Sequence, residues 1–121
     1  MKIHSKLYIG GEWVDPLNPS IFEVVNPLTE TVCATVAGGG EDDVARAVAA
    51  AREAFKEFSQ SSVEDLRAML ERIAAGIKAR ADEFSEAISM EMGAPTWWSS
   101  RAQVPAGIAH YSTAAKVLES F

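Results

Sequence analysis

The spacing of apolar positions changes near residue 40, and the change divides the chain into a strand-rich part and a helical part. Before it, short apolar runs alternate with turn residues. Leu7-Tyr8-Ile9 and Glu12-Trp13-Val14 flank Gly10-Gly11, and two glycines in that place can take the positive φ angles of a tight hairpin turn. Asp15-Pro16-Leu17-Asn18-Pro19-Ser20 reads as a loop, because two prolines remove two backbone donors. Phe22-Glu23-Val24-Val25 and Thr31-Val32-Cys33-Ala34-Thr35-Val36 predict two further strands, joined by a turn at Asn26-Pro27-Leu28-Thr29-Glu30. Residues 1–37 are therefore expected to form a pair of β-hairpins.

After Gly38-Gly39-Gly40 the spacing becomes helical. Val44, Val48, Ala51, Phe55 and Phe58 fall on one face and predict a helix over 41–59. Glu41, Asp42 and Asp43 occupy its first turn, where carboxylates complement the helix dipole. The three glycines read as a helix start, since neither dinucleotide-binding nor P-loop spacing is present. Ser61 and Glu64 have the spacing of a capping box and open a second helix, expected over 62–92. Along it Leu66, Leu70, Ile73, Ile77, Ala81, Phe84 and Ile88 make one apolar stripe. Arg67, Glu71, Lys78, Asp82 and Glu86 lie opposite. Gly93 and Pro95 form a stop signal. A third helix is expected over 96–120, kinked or broken near Gln103 by Pro105. The pattern thus predicts an α+β fragment, mainly helical, with three helices after N-terminal β-hairpins.

Composition narrows the function classes. Hydrophobic residues make up 48% and charged residues 23% of 121 residues, the balance of a globular chain. A net charge of -6 argues against nucleic acid and against anionic membrane as partners. No apolar run approaches a membrane span. Met1-Lys2-Ile3-His4-Ser5 lacks the apolar block of a secretory signal. The single cysteine, Cys33, cannot build an internal disulfide framework. A cytoplasmic location is expected.

Several local patterns, in order along the chain, resemble the N-terminal region of the aldehyde dehydrogenase superfamily. They are Leu7-Tyr8-Ile9-Gly10-Gly11-Glu12-Trp13-Val14, Val25-Asn26-Pro27-Leu28-Thr29-Glu30, Asp43-Val44 with Ala47-Val48 and Ala50-Ala51, and Ala54-Phe55. Arg67, Leu70 and Glu91-Met92-Gly93-Ala94-Pro95 follow. The order and spacing carry the resemblance, which covers essentially the whole chain. Departures are mild. The family often has glycine where Glu30 stands, tryptophan at Phe58, and serine or threonine at Gly40. Ala102-Gln103-Val104-Pro105 is similar to one bacterial subgroup.

The resemblance implies a part of the α/β aldehyde dehydrogenase fold, from an enzyme that oxidises an aldehyde to a carboxylic acid and reduces NAD or NADP. In the family the cysteine nucleophile, the oxyanion-binding asparagine, the water-activating glutamate and the cofactor-binding sheet all come later in sequence. The chain alone is therefore expected to be inactive and to hold no cofactor, with no catalytic or cofactor-binding residue of its own. The resemblance also points to half of a monovalent-cation site. The backbone carbonyl of Val25 and the carboxylate of Glu91 would serve, since hard cations prefer oxygen ligands. The third helix would border the aldehyde tunnel of the complete enzyme, with Gln103, Ala106 and His110 as lining.

Other chemically suggestive residues have plainer readings. Cys33 sits in a strand pattern and reads as a small buried apolar residue. His4 reads as a frayed end, His110 as packed or solvated, and Trp97 and Trp98 as packing anchors. The expected partner is the rest of a dehydrogenase chain. Self-association through exposed helix faces would also cover the apolar stripe. A stand-alone assembly or protein-binding module built on the same fold is the open alternative.

Overall fold

The computed structural model describes residues 2–120 and divides into two compact units, Met1–Gln60 and Ser61–Phe121. In the first unit, β2 (Leu7–Ile9) and β3 (Glu12–Val14) form an antiparallel hairpin with Leu7 opposite Val14. Gly10 and Gly11 turn it with φ of 62° and 87°, values that glycine adopts without Cβ strain. β4 (Ser20–Asn26) and β5 (Thr31–Gly38) form the second hairpin.

β5 is the centre of a three-stranded sheet, flanked by β4 and by a short N-terminal strand. β1 (Lys2–His4) runs parallel to it, with His4 opposite Val36. This corrects the expectation of a frayed end at His4. Lys2-Ile3-His4 gives too short a run to read as a strand, and only the partner strand β5 supplies its backbone pairing.

The turn between β4 and β5 is built from its first residue. Asn26 Oδ1 accepts the Leu28 N–H at 2.9 Å, and Asn26 O accepts Glu30 N–H at 2.8 Å. Glu30 then takes φ 54°, the left-handed region. A bulge follows, because Val24 pairs with Ala34 and Val25 with Val32, which leaves Cys33 without an opposite residue. The Cys33 thiol is half-buried, not buried as expected, and donates to Val24 O at 3.3 Å.

α1 (Glu41–Phe58) closes the first unit. Gly40 has no side chain with which to cap it. Asp43, in the third helical position, instead makes the reverse bond of a capping box, its carboxylate accepting the Gly40 N–H at 3.2 Å.

The second unit starts with α2 (Val63–Ala79). Its cap is Ser62, whose hydroxyl accepts Asp65 N–H at 3.1 Å. The capping box expected at Ser61 and Glu64 is displaced by one residue, because Asp65 offers Ser62 the same three-residue spacing. α2 stops at Arg80, and α3 (Ala81–Met92) begins there. The single helix expected over 62–92 is thus two helices. Arg80 leaves helical geometry (φ −115°, ψ 26°), and its N–H bonds to Ile77 O, three residues back. Its guanidinium grips Glu83 with two bonds of 3.1 and 2.8 Å. The physical reason lies in packing partners: α2 packs mainly on the helix Val104–Val117, while α3 packs mainly on the turn Ser99–Gln103 that precedes it.

Gly93 caps α3 in the left-handed conformation at φ 71°. The last helical rod comprises α4 (Thr96–Trp98), a π-helical turn at Ser99–Gln103, α5 (Val104–Val117) and a 3₁₀ turn at Leu118–Ser120. The kink or break expected at Gln103 takes the form of this π turn. It widens the helix immediately before Pro105, whose ring would crowd the carbonyl four residues back. The fold is a mixed α+β arrangement with four helical rods among the described residues. The three expected became four through the break at Arg80.

Candidate functional site

The most connected side chain of the first unit is Asp43, only 2% exposed. Its carboxylate accepts Gly40 N–H, and it also accepts Leu17 N–H with oxygens at 3.1 and 3.3 Å. Arg46 Nη1 stands 3.4 Å away. The first-turn position of Asp43 suits the helix dipole, and its tie to the loop at Leu17 has no local signature because the two residues are 26 apart in sequence. The readable signal is an acid three residues after the capping position, the spacing at which a carboxylate reaches back to the capping residue's N–H.

The second unit has a polar knot in an otherwise apolar setting. Ser99 is fully buried, and its hydroxyl lies 3.0 Å from Ser89 Oγ. It is also 3.4 Å from both Pro95 O and Gln103 Oε1. The Gln103 amide in turn donates to Met92 Sδ at 3.4 Å. These residues come from α3, the proline stop and the π turn, so the knot joins three consecutive elements.

Gln103 stands in the π turn, and Ala106 and His110 stand on α5, one turn apart. Spacings of three and four residues place Ala106 and His110 on one stripe, with Gln103 at its start. Ala106 and His110 are exposed and Gln103 half-buried. His110 edges an open apolar groove with Leu70, Ala109, Thr113, Ala114 and Val117, at the seam of α2 and α5. At the C-terminal end, Arg67 meets Glu119 at 2.7 Å. The bond to Glu119, and then the charge of Glu71, hold this guanidinium more firmly protonated than an ordinary arginine.

The two candidate cation ligands belong to different units. Val25 is a β4 residue of the first unit and is exposed. Glu91 lies in the last turn of α3, in the second unit, and is exposed. Among the described residues, no three His, Cys, Asp or Glu side chains come together as a metal-binding group. His4 lines a small cleft of about 150 Å³ with Ile3, Pro16, Pro19, Ile21 and Val36. Trp97 and Trp98, expected as packing anchors, are 61% and 47% exposed and lie edge to face at 5.5 Å. Consecutive helical side chains diverge by about 100°, and here Ser99 takes the inward position instead.

The aldehyde dehydrogenase family model matches residues 13–121. A Staphylococcus epidermidis protein, whose name places it among the aldehyde dehydrogenases, is 40% identical over 121 residues. The chain belongs to the aldehyde dehydrogenase family. A Bartonella henselae aldehyde dehydrogenase superposes on 100% of the chain with a TM-score of 0.96 at 33% identity. Aldehyde dehydrogenase C of Pseudomonas syringae, solved in complex with NAD+ and octanal, superposes on 97% with a TM-score of 0.94 at 44% identity. The chain spans 26% of the length of the Staphylococcus epidermidis aldehyde dehydrogenase and 25% of the Bartonella henselae one. In this family setting, Cys33, the chain's single cysteine, lies in a strand bulge and uses its thiol as a donor to a backbone carbonyl. No helix among the described residues is long and apolar enough to cross a membrane.

Proposed function

We propose that this chain is the N-terminal scaffold of an NAD- or NADP-dependent aldehyde dehydrogenase that oxidises an aldehyde to a carboxylic acid. The observation that carries this is the superposition of the whole chain on a quarter of a dehydrogenase, at a TM-score of 0.96. The reacting groups are supplied by the remainder of the enzyme, and the bound dinucleotide accepts the hydride there. The chain by itself neither turns over aldehyde nor binds the dinucleotide tightly. Its partner is the remainder of the dehydrogenase, and its setting is the cytoplasm.

Within that enzyme, Gln103, Ala106 and His110 border the aldehyde tunnel. Their common stripe and the neighbouring apolar groove support this assignment. The Val25 carbonyl and the Glu91 carboxylate supply part of a monovalent-cation site, in keeping with the oxygen-only ligands that hard cations take. Glu91→Gln in the complete enzyme is expected to weaken its stabilisation by Na⁺ or K⁺. An unchanged salt-dependent Tm would refute the role.

The inactivity is tested by mixing the purified 121-residue chain, of verified mass, with NAD+ or NADP+ and a panel of aldehydes. No absorbance of reduced nicotinamide above blank is expected, and clear turnover would overturn the reading. The alternative is a stand-alone assembly or protein-binding module, favoured by the exposed apolar residues of α1. The reading frame after Phe121 separates the two. A strand followed by an asparagine-containing loop supports the enzyme scaffold, and an immediate stop codon at the natural locus supports the module.

A further inference from the structure

We infer that Ser99 is a positioning residue: through its bond to Ser89 it locks a one-residue π insertion that sets the rotational phase of α5. Val104 N–H donates to Ser99 O, five residues back, where an α-helix would use Ser100 O. One extra residue is therefore accommodated in the turn just before α5. Each residue of an α-helix turns the chain by about 100°, so the insertion decides which side of α5 meets α2.

The present phase buries Val104 (4% exposed) and Ala115 (2%) and leaves Ala114 exposed. If the π turn tightened to α geometry with α5 rotating after it, every α5 residue would move round by one position. Gln103 and Ala114 would then occupy the buried line now held by Val104 and Ala115. A polar side chain would replace a valine in the packed seam.

A π turn is a rare, single-turn interruption of an α-helix, so a contact from outside the helix can decide whether it persists. Ser99 provides that contact from the first residue of the turn. It is fully buried, its hydroxyl is 3.0 Å from Ser89 Oγ on α3, and it also reaches the Pro95 carbonyl and Gln103. α3 is capped by Gly93 and packs on this turn, so Ser89 is a fixed point. The consequence for the tunnel stripe rests on the function proposed above: the same phase decides that Ala106 and His110, in line with Gln103, face outward together.

The test needs neither aldehyde nor dinucleotide, so its failure is separable from failure of the enzymatic assignment. In the 121-residue chain carrying Cys33→Ala, single Ala114→Cys and Ala115→Cys variants report the phase by thiol labelling. The first is expected to label at least tenfold faster than the second. Adding Ser99→Ala is expected to reverse that order, and Ser99→Thr to restore it. An unchanged order with Ser99→Ala would sink the proposal. Should Ser99→Ala instead expose both positions equally, the deciding variant also deletes Arg101, an exposed residue inside the turn. With no insertion left to lock, the order found in the reference chain is expected to return. Continued equal labelling would make Ser99 a general packing residue and overturn the inference.

Discussion

Glu30 holds the left-handed backbone at φ 54°, alone among the described non-glycine residues. That conformation costs an L-residue roughly 1–2 kcal/mol. Replacing Glu30 with glycine removes the strain but gives back some stability through a freer unfolded chain. The expected net gain is about 0.5–1 kcal/mol, read as a higher urea midpoint at unchanged m-value, and a lower midpoint would contradict it. The resemblance already marked this position as one where the family often carries glycine, and the turn geometry gives the reason. Asp43 is the opposite case. Asp43→Ala leaves the N–H groups of Leu17 and Gly40 without their acceptor in a nearly closed site. The expected loss is about 2–3 kcal/mol, measured by denaturant unfolding. A loss below about 0.5 kcal/mol would mean that water replaces the carboxylate freely.

At the scale of elements, local signals succeed where the chain carries its own punctuation. Gly10-Gly11, Gly93 and the first-turn carboxylates of α1 each fix a boundary through backbone chemistry that needs no distant partner. They fail where a neighbour decides. The apolar stripe from Leu66 to Ile88 runs through Arg80 without a fault, because arginine is a good helix former and Ile77, Ala81 and Phe84 keep helical spacing. Only the separate packing of α2 and α3 requires the break. The candidate stripe of Gln103, Ala106 and His110 was legible as positions, but the π turn that orients it was not. Its support comes from Ser89, ten residues away on another helix. The cap of α2 offers a sharp check at this scale. Ser62→Ala is expected to cost about 1 kcal/mol, as the loss of a serine N-cap does. Ser61→Ala is expected to stay within about 0.5 kcal/mol. The reverse ranking, by thermal unfolding, would return the cap to Ser61.

For the molecule as a whole, the decisive feature is how much apolar side chain remains uncovered. On α1, Val44, Val48, Phe55 and Phe58 follow helical spacing, yet all four are exposed, Phe55 by 63%. The spacing therefore foretold an apolar face correctly without revealing that nothing among the described residues covers it. A face of this kind in a folded protein marks a contact surface. In the enzyme proposed here, the remainder of the dehydrogenase covers it; for the chain alone, a second copy is the available substitute. The charge of -6 opposes that substitute by mutual repulsion. Raising the ionic strength tenfold shortens the screening length about threefold and weakens the repulsion, while leaving the apolar attraction in place. Self-association of the chain is thus expected to rise with salt, as measured by sedimentation velocity. Phe55→Glu is expected to abolish the rise at a stability cost below about 0.5 kcal/mol, since a well-exposed ring loses little packing. A cost above about 2 kcal/mol would show that Phe55 is packed within the folded chain. An association that falls with salt would instead trace the contact to ion pairs.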